Sequence, residues 1–190
     1  MLYDADDVKE KLKTALDKLY RLDGSLLAQH CSERAIVFRL GMYLAQVFEA
    51  EGLDVDCEYN RSCKALHSLK SLRGRACNLP DVIVHRRGTN DHNVLVIEVK
   101  TAAHVKAGGL ERDACKLRGF TCEPPYFYRH GAHACLAAAG CGIAWYADGA
   151  VRQYCQYRLD PHTHALVPVG ADAFQVHGAF DRLYAKAGRG

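Results

Sequence analysis

Residues Asn93 to Lys100 read NVLVIEVK, a run in which five aliphatic side chains surround a glutamate and a lysine two positions apart. An aliphatic run of this kind reads as a strand buried on both faces, where an ionised group is costly unless something pairs with it. Side chains alternate along a strand, so Glu98 and Lys100 point to one face, about 7 Å apart along the backbone. Val94 and Val96 share that face by the same alternation, while Leu95, Ile97 and Val99 line the other. The expectation is a strand whose C-terminal end opens into a cleft, the usual place for a site in an α/β sheet.

The preceding stretch PDVIVHRR, Pro80 to Arg87, reads as the neighbouring strand, joined to the first by the turn-forming GTNDH. Pro80 lacks an N–H and suits the first residue of a strand. Alternation places Asp81, Ile83 and His85 on one face. If that face is the Glu98 face, Asp81 and Glu98 converge, and a divalent cation would relieve their mutual repulsion. Mg2+ is commonly held by one or two carboxylates, with waters and phosphate oxygens completing its shell. It can activate water and offset charge during phosphodiester hydrolysis. Lys100 beside such a cation would orient or help deprotonate the water, or contact the phosphate. His85 reads as a packed or hydrogen-bonded histidine rather than a base.

Upstream, DADDVKEKLKTALDKLYRLDG aligns Val8, Leu12, Ala15, Leu16 and Leu19 on one helical stripe, with early acids and Gly24 as a stop. This predicts a docking helix over 4–21. A second helix follows from Ser32 as N-cap to Gly52 as stop. Glu33 falls on its apolar stripe with Ile36, Val37, Leu40 and Leu44. It is read either as a first-turn acid favoured by the helix dipole or as a site residue. DVDCEYN is expected as a strand, residues 101–109 as a loop and LERDACKLRGF as a helix. Further strands are broken at Gly140, Gly142 and ADG, and a terminal helix is read near 173–186. The order predicts an α/β protein: a mixed central β-sheet flanked by helices on both faces, in one domain over 1–190 with a core over about 25–160.

Composition is that of an ordinary folded chain, 49% apolar and 25% charged, with no apolar run of membrane-spanning length. The N-terminus lacks the apolar core of a signal peptide, so a cytoplasmic location is expected. The nine cysteines contain no C-x-x-C pair, which argues against zinc-ribbon and iron–sulfur spacings and for small, mostly buried thiols. A structural metal on Cys57, Cys63, His67 or Cys77 is the lesser alternative. His130, His133, His162 and His164 read as loop residues. Net charge is only +3, but 59–80 contains no acid while Arg61, Lys64, Lys70, Arg73 and Arg75 supply five positive charges. That stretch is either a solvated loop or a phosphate-contacting one.

Pro80-Asp81, then Glu98-Val99-Lys100, resembles the signature of the PD-(D/E)XK nuclease superfamily, with its restriction-endonuclease-like fold. Glu33 stands where many members carry a helix-borne acid, and PDVIVHRRG followed by VLVIEVK is similar to a group of small stand-alone members. The helix with Asp113, Lys116 and Leu117, and YFYRHGAHACLA after it, extend the resemblance over roughly 25–147. It implies phosphodiester hydrolysis with Mg2+ or Mn2+, most often of DNA, with Asp81 and Glu98 as metal ligands and Lys100 positioning water. Glu33 would be an auxiliary acid of the metal site and a third metal-binding residue, and Lys116 would supply the polar group that many members project from this helix, a place Asp113 could also fill. The resemblance also favours a homodimer. The alternatives are a nucleic-acid-binding module or a partner-dependent accessory protein on the same fold without turnover of its own.

Overall fold

The computed structural model describes residues 3–59, 79–170 and 174–185. Helices α1 (Ala5–Ala28) and α2 (Glu33–Phe48) lead into strands β1 (Asp54–Cys57), β2 (Val82–His85) and β3 (Leu95–Thr101). Helix α3 (Ala107–Cys122) follows, then β4 (His130–Ala137), β5 (Gly140–Ala147), β6 (Ala150–Leu159), β7 (Leu166–Val169) and α4 (Gly178–Tyr184). The strands form one seven-stranded sheet in chain order. All neighbours are antiparallel except β3 and β4, which run parallel. A parallel pair cannot be joined by a tight turn, and α3 provides the crossover. The protein is thus α/β with a mixed sheet.

Each face of the sheet has its own core. On one, Val8, Leu12 and Leu16 of α1 and Ile36, Leu40 and Leu44 of α2 pack against Val82, Val84, Ile97 and Val99. On the other, Leu110, Ala114 and Leu117 of α3 and Phe180 and Tyr184 of α4 pack against Ile83 and Val96. Ile83 pairs with Val96 and Val82 with Ile97, so Asp81 and Glu98 follow on the α3 face. Val94 departs from the expected alternation: it precedes the first paired residue of β3 and packs in the α1/α2 core.

Several boundaries differ from the sequence reading. α1 runs on through Gly24 to Ala28, with a break in helical geometry at Asp23 (φ −130°). The Asp23 carboxylate accepts from Arg39 Nε at 2.7 Å and from the Tyr43 hydroxyl, both on α2, which holds the chain through the break. Gly108 and Gly109 lie inside α3 rather than before it. β1 ends at Cys57, where Glu58 takes φ +48°. β6 extends the sheet as expected, reached through Asp148-Gly149, whose positive φ values of 50° and 73° are those of a type I′ hairpin turn. Residues beyond 160 also belong to the core, since Leu166 joins one cluster and Val176, Phe180 and Tyr184 the other. His130 and His133 are strand residues of β4, not loop residues.

The thiols are less buried than expected. Cys135 and Cys141 are enclosed, but Cys57, Cys115 and Cys122 are exposed, and all seven described cysteines are free. No helix among the described residues is long and apolar enough to cross a membrane.

Candidate functional site

The polar side chains of the α3 face gather where β3 ends. Glu98 is fully buried on β3, and its Oε2 accepts from Lys116 Nζ of α3. Its Oε1 is buried with no hydrogen-bond partner among the described residues. Asp81, just before β2, accepts from the Val99 backbone N–H through Oδ2 at 2.7 Å. That bond ties it to the strand that carries Glu98, on the adjacent residue.

The two lysines are tethered by acids from three elements. Lys100 Nζ donates to Glu33 Oε1 at 2.9 Å and to the Val99 carbonyl at 3.1 Å, and lies 3.1 Å from Asp113 Oδ2. Lys116 Nζ donates to the Leu79 carbonyl at 3.2 Å and lies 3.5 Å from Asp113 Oδ1. Asp113, one helical turn before Lys116, therefore touches both ammoniums. Glu33 reaches Lys100 because Ser32, whose Oγ accepts from the Ala35 N–H, caps α2 beside the C-terminal end of β3. Glu33 is thus both a first-turn acid and a member of the cluster.

Among the described residues, charge in this cluster does not balance. Glu33, Asp81, Glu98 and Asp113 face Lys100 and Lys116, which leaves two formal negative charges when all six are ionised. The deep carboxyls register the excess. Burial raises Glu98 well above the usual carboxylate range, and the charges of Asp81 and Asp113 push the same way against the attraction of Lys116. Asp81 is also raised, chiefly by burial, although the Val99 N–H and both lysines oppose it. The lysines move with the acids. Burial alone would lower Lys100, but its bond to Glu33 and the charge of Asp113 outweigh it, so the amine is held as ammonium. Lys116 is raised by Glu98 against the same burial penalty. A lysine held in this way favours orienting water or contacting phosphate over removing a proton.

His133 of β4 stands opposite Glu98 in the parallel register and is fully buried. Burial pushes its imidazole down to about 3, outweighing the pull of Asp113. Its Nδ1 is 2.6 Å from the Tyr184 hydroxyl, which is 2.8 Å from the Tyr146 hydroxyl. The sequence carried a signal for His133, because Gly131, His133 and Cys135 alternate along an apolar strand just as Val96, Glu98 and Lys100 do. Nothing local pointed to Tyr184, which arrives from α4.

Glu33, Asp81, Glu98, Lys100 and Lys116 are thus brought into one network. His85 lies farther along β2, bonded to Asp56 Oδ2 at 2.9 Å and packed on Tyr59 at 4.7 Å between ring centroids. Arg61, Lys64, Lys70, Arg73 and Arg75 lie outside the described residues, as do Cys63, His67 and Cys77. Among the described residues, no three His, Cys, Asp or Glu side chains are arranged to hold a metal ion. Of the expected donors Asp81, Glu98 and Glu33, both Glu33 and Glu98 give one oxygen to a lysine, and Asp81 and Glu98 make the carboxylate pair of the two adjacent strand segments. Such a pair fits a hard divalent cation that takes its other ligands from water and phosphate, and the unpartnered Glu98 Oε1 is a free donor for it. No family model matches the chain, and no curated protein matches it.

Proposed function

We propose that the chain is a divalent-metal-dependent nuclease that hydrolyses phosphodiester bonds, in DNA by preference, on a restriction-endonuclease-like fold. The observation that carries this reading is the excess of carboxylates over ammoniums at the end of β3 among the described residues, with both deep carboxyls raised and one Glu98 oxygen without a partner among those residues. A stable fold gains nothing from this arrangement, and it is the environment in which a cation binds. The mixed sheet with helices on both faces, and the P-D and E-x-K residues meeting on one face, support the same reading.

Asp81 and Glu98 would hold Mg2+ or Mn2+. When bound, the cation would lower the pKa of water and offset negative charge developing on the phosphate. The chain's own groups do the rest. Lys100 presents an ammonium to the attacking water or to a phosphate oxygen, steadied by Glu33 and Asp113. Lys116 neutralises the buried Glu98 carboxylate. Asp113 keeps the two ammoniums in register.

The test is a cleavage assay of wild type beside Asp81→Ala, with duplex, single-stranded and branched DNA and with RNA, in Mg2+, Mn2+ or EDTA. Cleavage that requires both the metal and Asp81 is the expected result. A folded wild type inert on every substrate would overturn the proposal and favour a binding or partner-dependent role.

A further inference from the structure

At the inner edge of the ion cluster, His133 Nε2 is buried with no hydrogen-bond partner among the described residues and faces Asp113 Oδ2, the oxygen paired with Lys100, at 4.0 Å. His133, Tyr146 and Tyr184 are each no more than 2% exposed, so bulk water cannot serve them. We propose that His133 is a positioning residue, held by Tyr184 of α4, whose Nε2–H orients the Asp113 carboxylate and through it both Lys100 and Lys116. Helix α4 then sets the geometry of the ion cluster. This inference rests on the nuclease reading of that cluster.

The proton positions follow from the neighbours. A neutral imidazole carries one N–H, on either nitrogen. Nε2 looks at a carboxylate oxygen, which has lone pairs and no proton to give. The Nε2–H tautomer is attractive there, whereas the other tautomer sets lone pair against lone pair. With the proton on Nε2, Nδ1 must accept, so the Tyr184 hydroxyl donates to it across 2.6 Å. The Tyr184 oxygen then accepts from Tyr146 across 2.8 Å. The donors run in one direction, from β5 through α4 and β4 to Asp113 on α3.

At 4.0 Å the last link is a charge–dipole contact, which becomes a hydrogen bond with a closure of about 1 Å. Because each oxygen of Asp113 is beside a different lysine, turning this carboxylate moves both ammoniums together. His133 also packs edge-on against Phe180, with ring centroids 4.9 Å apart. A packing role alone would not require a fixed tautomer, and that difference can be measured.

Long-range nitrogen-15 NMR of the wild-type imidazoles is the first test, and it needs no activity. His133 with Nε2 protonated and Nδ1 accepting is expected; the opposite tautomer overturns the proposal. Tyr184→Phe, which removes one oxygen and keeps the ring, is then expected to lower kcat about tenfold with KM for DNA unchanged. The double variant Tyr184→Phe/Asp113→Asn should lose no more than Asp113→Asn alone. Wild-type kcat in Tyr184→Phe, or losses that multiply, would overturn the coupling. If wild type cleaves nothing, the nuclease reading falls separately, and the lysine Nζ resonances decide the coupling. A shift of both in Tyr184→Phe supports it, and unchanged resonances refute it.

Discussion

The two faces of the sheet are built from the same strands and behave as different materials. Toward α1 and α2, β3 offers Leu95, Ile97 and Val99 to a cluster of aliphatic and aromatic side chains. Toward α3 and α4 it offers Val96, Glu98 and Lys100. Among the described residues, the buried carboxylates are Glu98 and Asp113 and the buried imidazoles His85 and His133, all on the α3 side. One face lowers the free energy by removing apolar surface from water. The other buries excess acid that a fold designed for stability alone would replace with leucine. Both faces bury an apolar core, and the α3 face alone adds the cluster of charged groups among the described residues.

The largest effect should separate the faces outright. Glu98→Ala is expected to reduce metal-dependent cleavage by about a thousandfold or more while the protein stays folded. Leu16→Ala, in the α1/α2 core, should cost about 2–5 kcal/mol of stability and leave kcat per folded molecule unchanged. Rates measured beside urea unfolding curves check both, and a Leu16→Ala variant with impaired kcat would break the division.

Within the polar face, the Lys116–Glu98 pair should matter next. Lys116→Met leaves a fully buried carboxylate without its ammonium and should destabilise the protein by about 3 kcal/mol near pH 8. The double variant Lys116→Met/Glu98→Gln should recover most of that loss in the same urea titration. A double variant as weak as the single one would mean that Lys116 contributes by packing and not by charge.

The sign of the pH dependence sharpens the contrast further. Glu98 is raised in the folded chain from an ordinary 4.5, so above pH 4.5 the folded state holds protons that the unfolded state has lost. Stability from this group therefore falls as pH rises, by at most about 1.4 kcal/mol per pH unit. His133 works in the opposite sense: its contribution is complete above 6.5 and is lost as pH falls toward about 3. The stability of wild type minus that of Glu98→Gln should thus slope downward with pH above 4.5, and Mg2+ should flatten it. A difference that is level without metal would remove the strain assigned to Glu98.

The smallest effect belongs on the surface. Arg152→Ala breaks an exposed pair with Asp148, 3.0 Å apart, and should change stability by less than about 1 kcal/mol, with cleavage unaffected. A large loss there, read by thermal unfolding, would show that the β5–β6 turn communicates with the site.

Much of this architecture is local in origin. The two-residue alternation in PDVIVHRR and NVLVIEVK fixed which neighbours share a face with Asp81 and with Glu98, and the pairing of Ile83 with Val96 brings the two faces together. Ser32 before an apolar period of 3.6 marked the start of α2 and brought Glu33 into position. Other features were not local. Gly24 reads as a stop, yet α1 continues past it because Asp23 is held by Arg39 and Tyr43 from another helix. Gly108 and Gly109 read as a loop, yet they open α3.

The ion cluster divides along the same line. Sequence by itself determined which groups carry charge and which side of their own strand or helix they occupy, because periods of 2 and 3.6 act within one segment. Only the tertiary structure decided which charges meet: Asp113 between two lysines, Glu33 on Lys100, and Tyr184 arriving 51 residues beyond His133 to bond it. A buried charge takes its partner from whatever distant segment the packing delivers, and no local period encodes that choice.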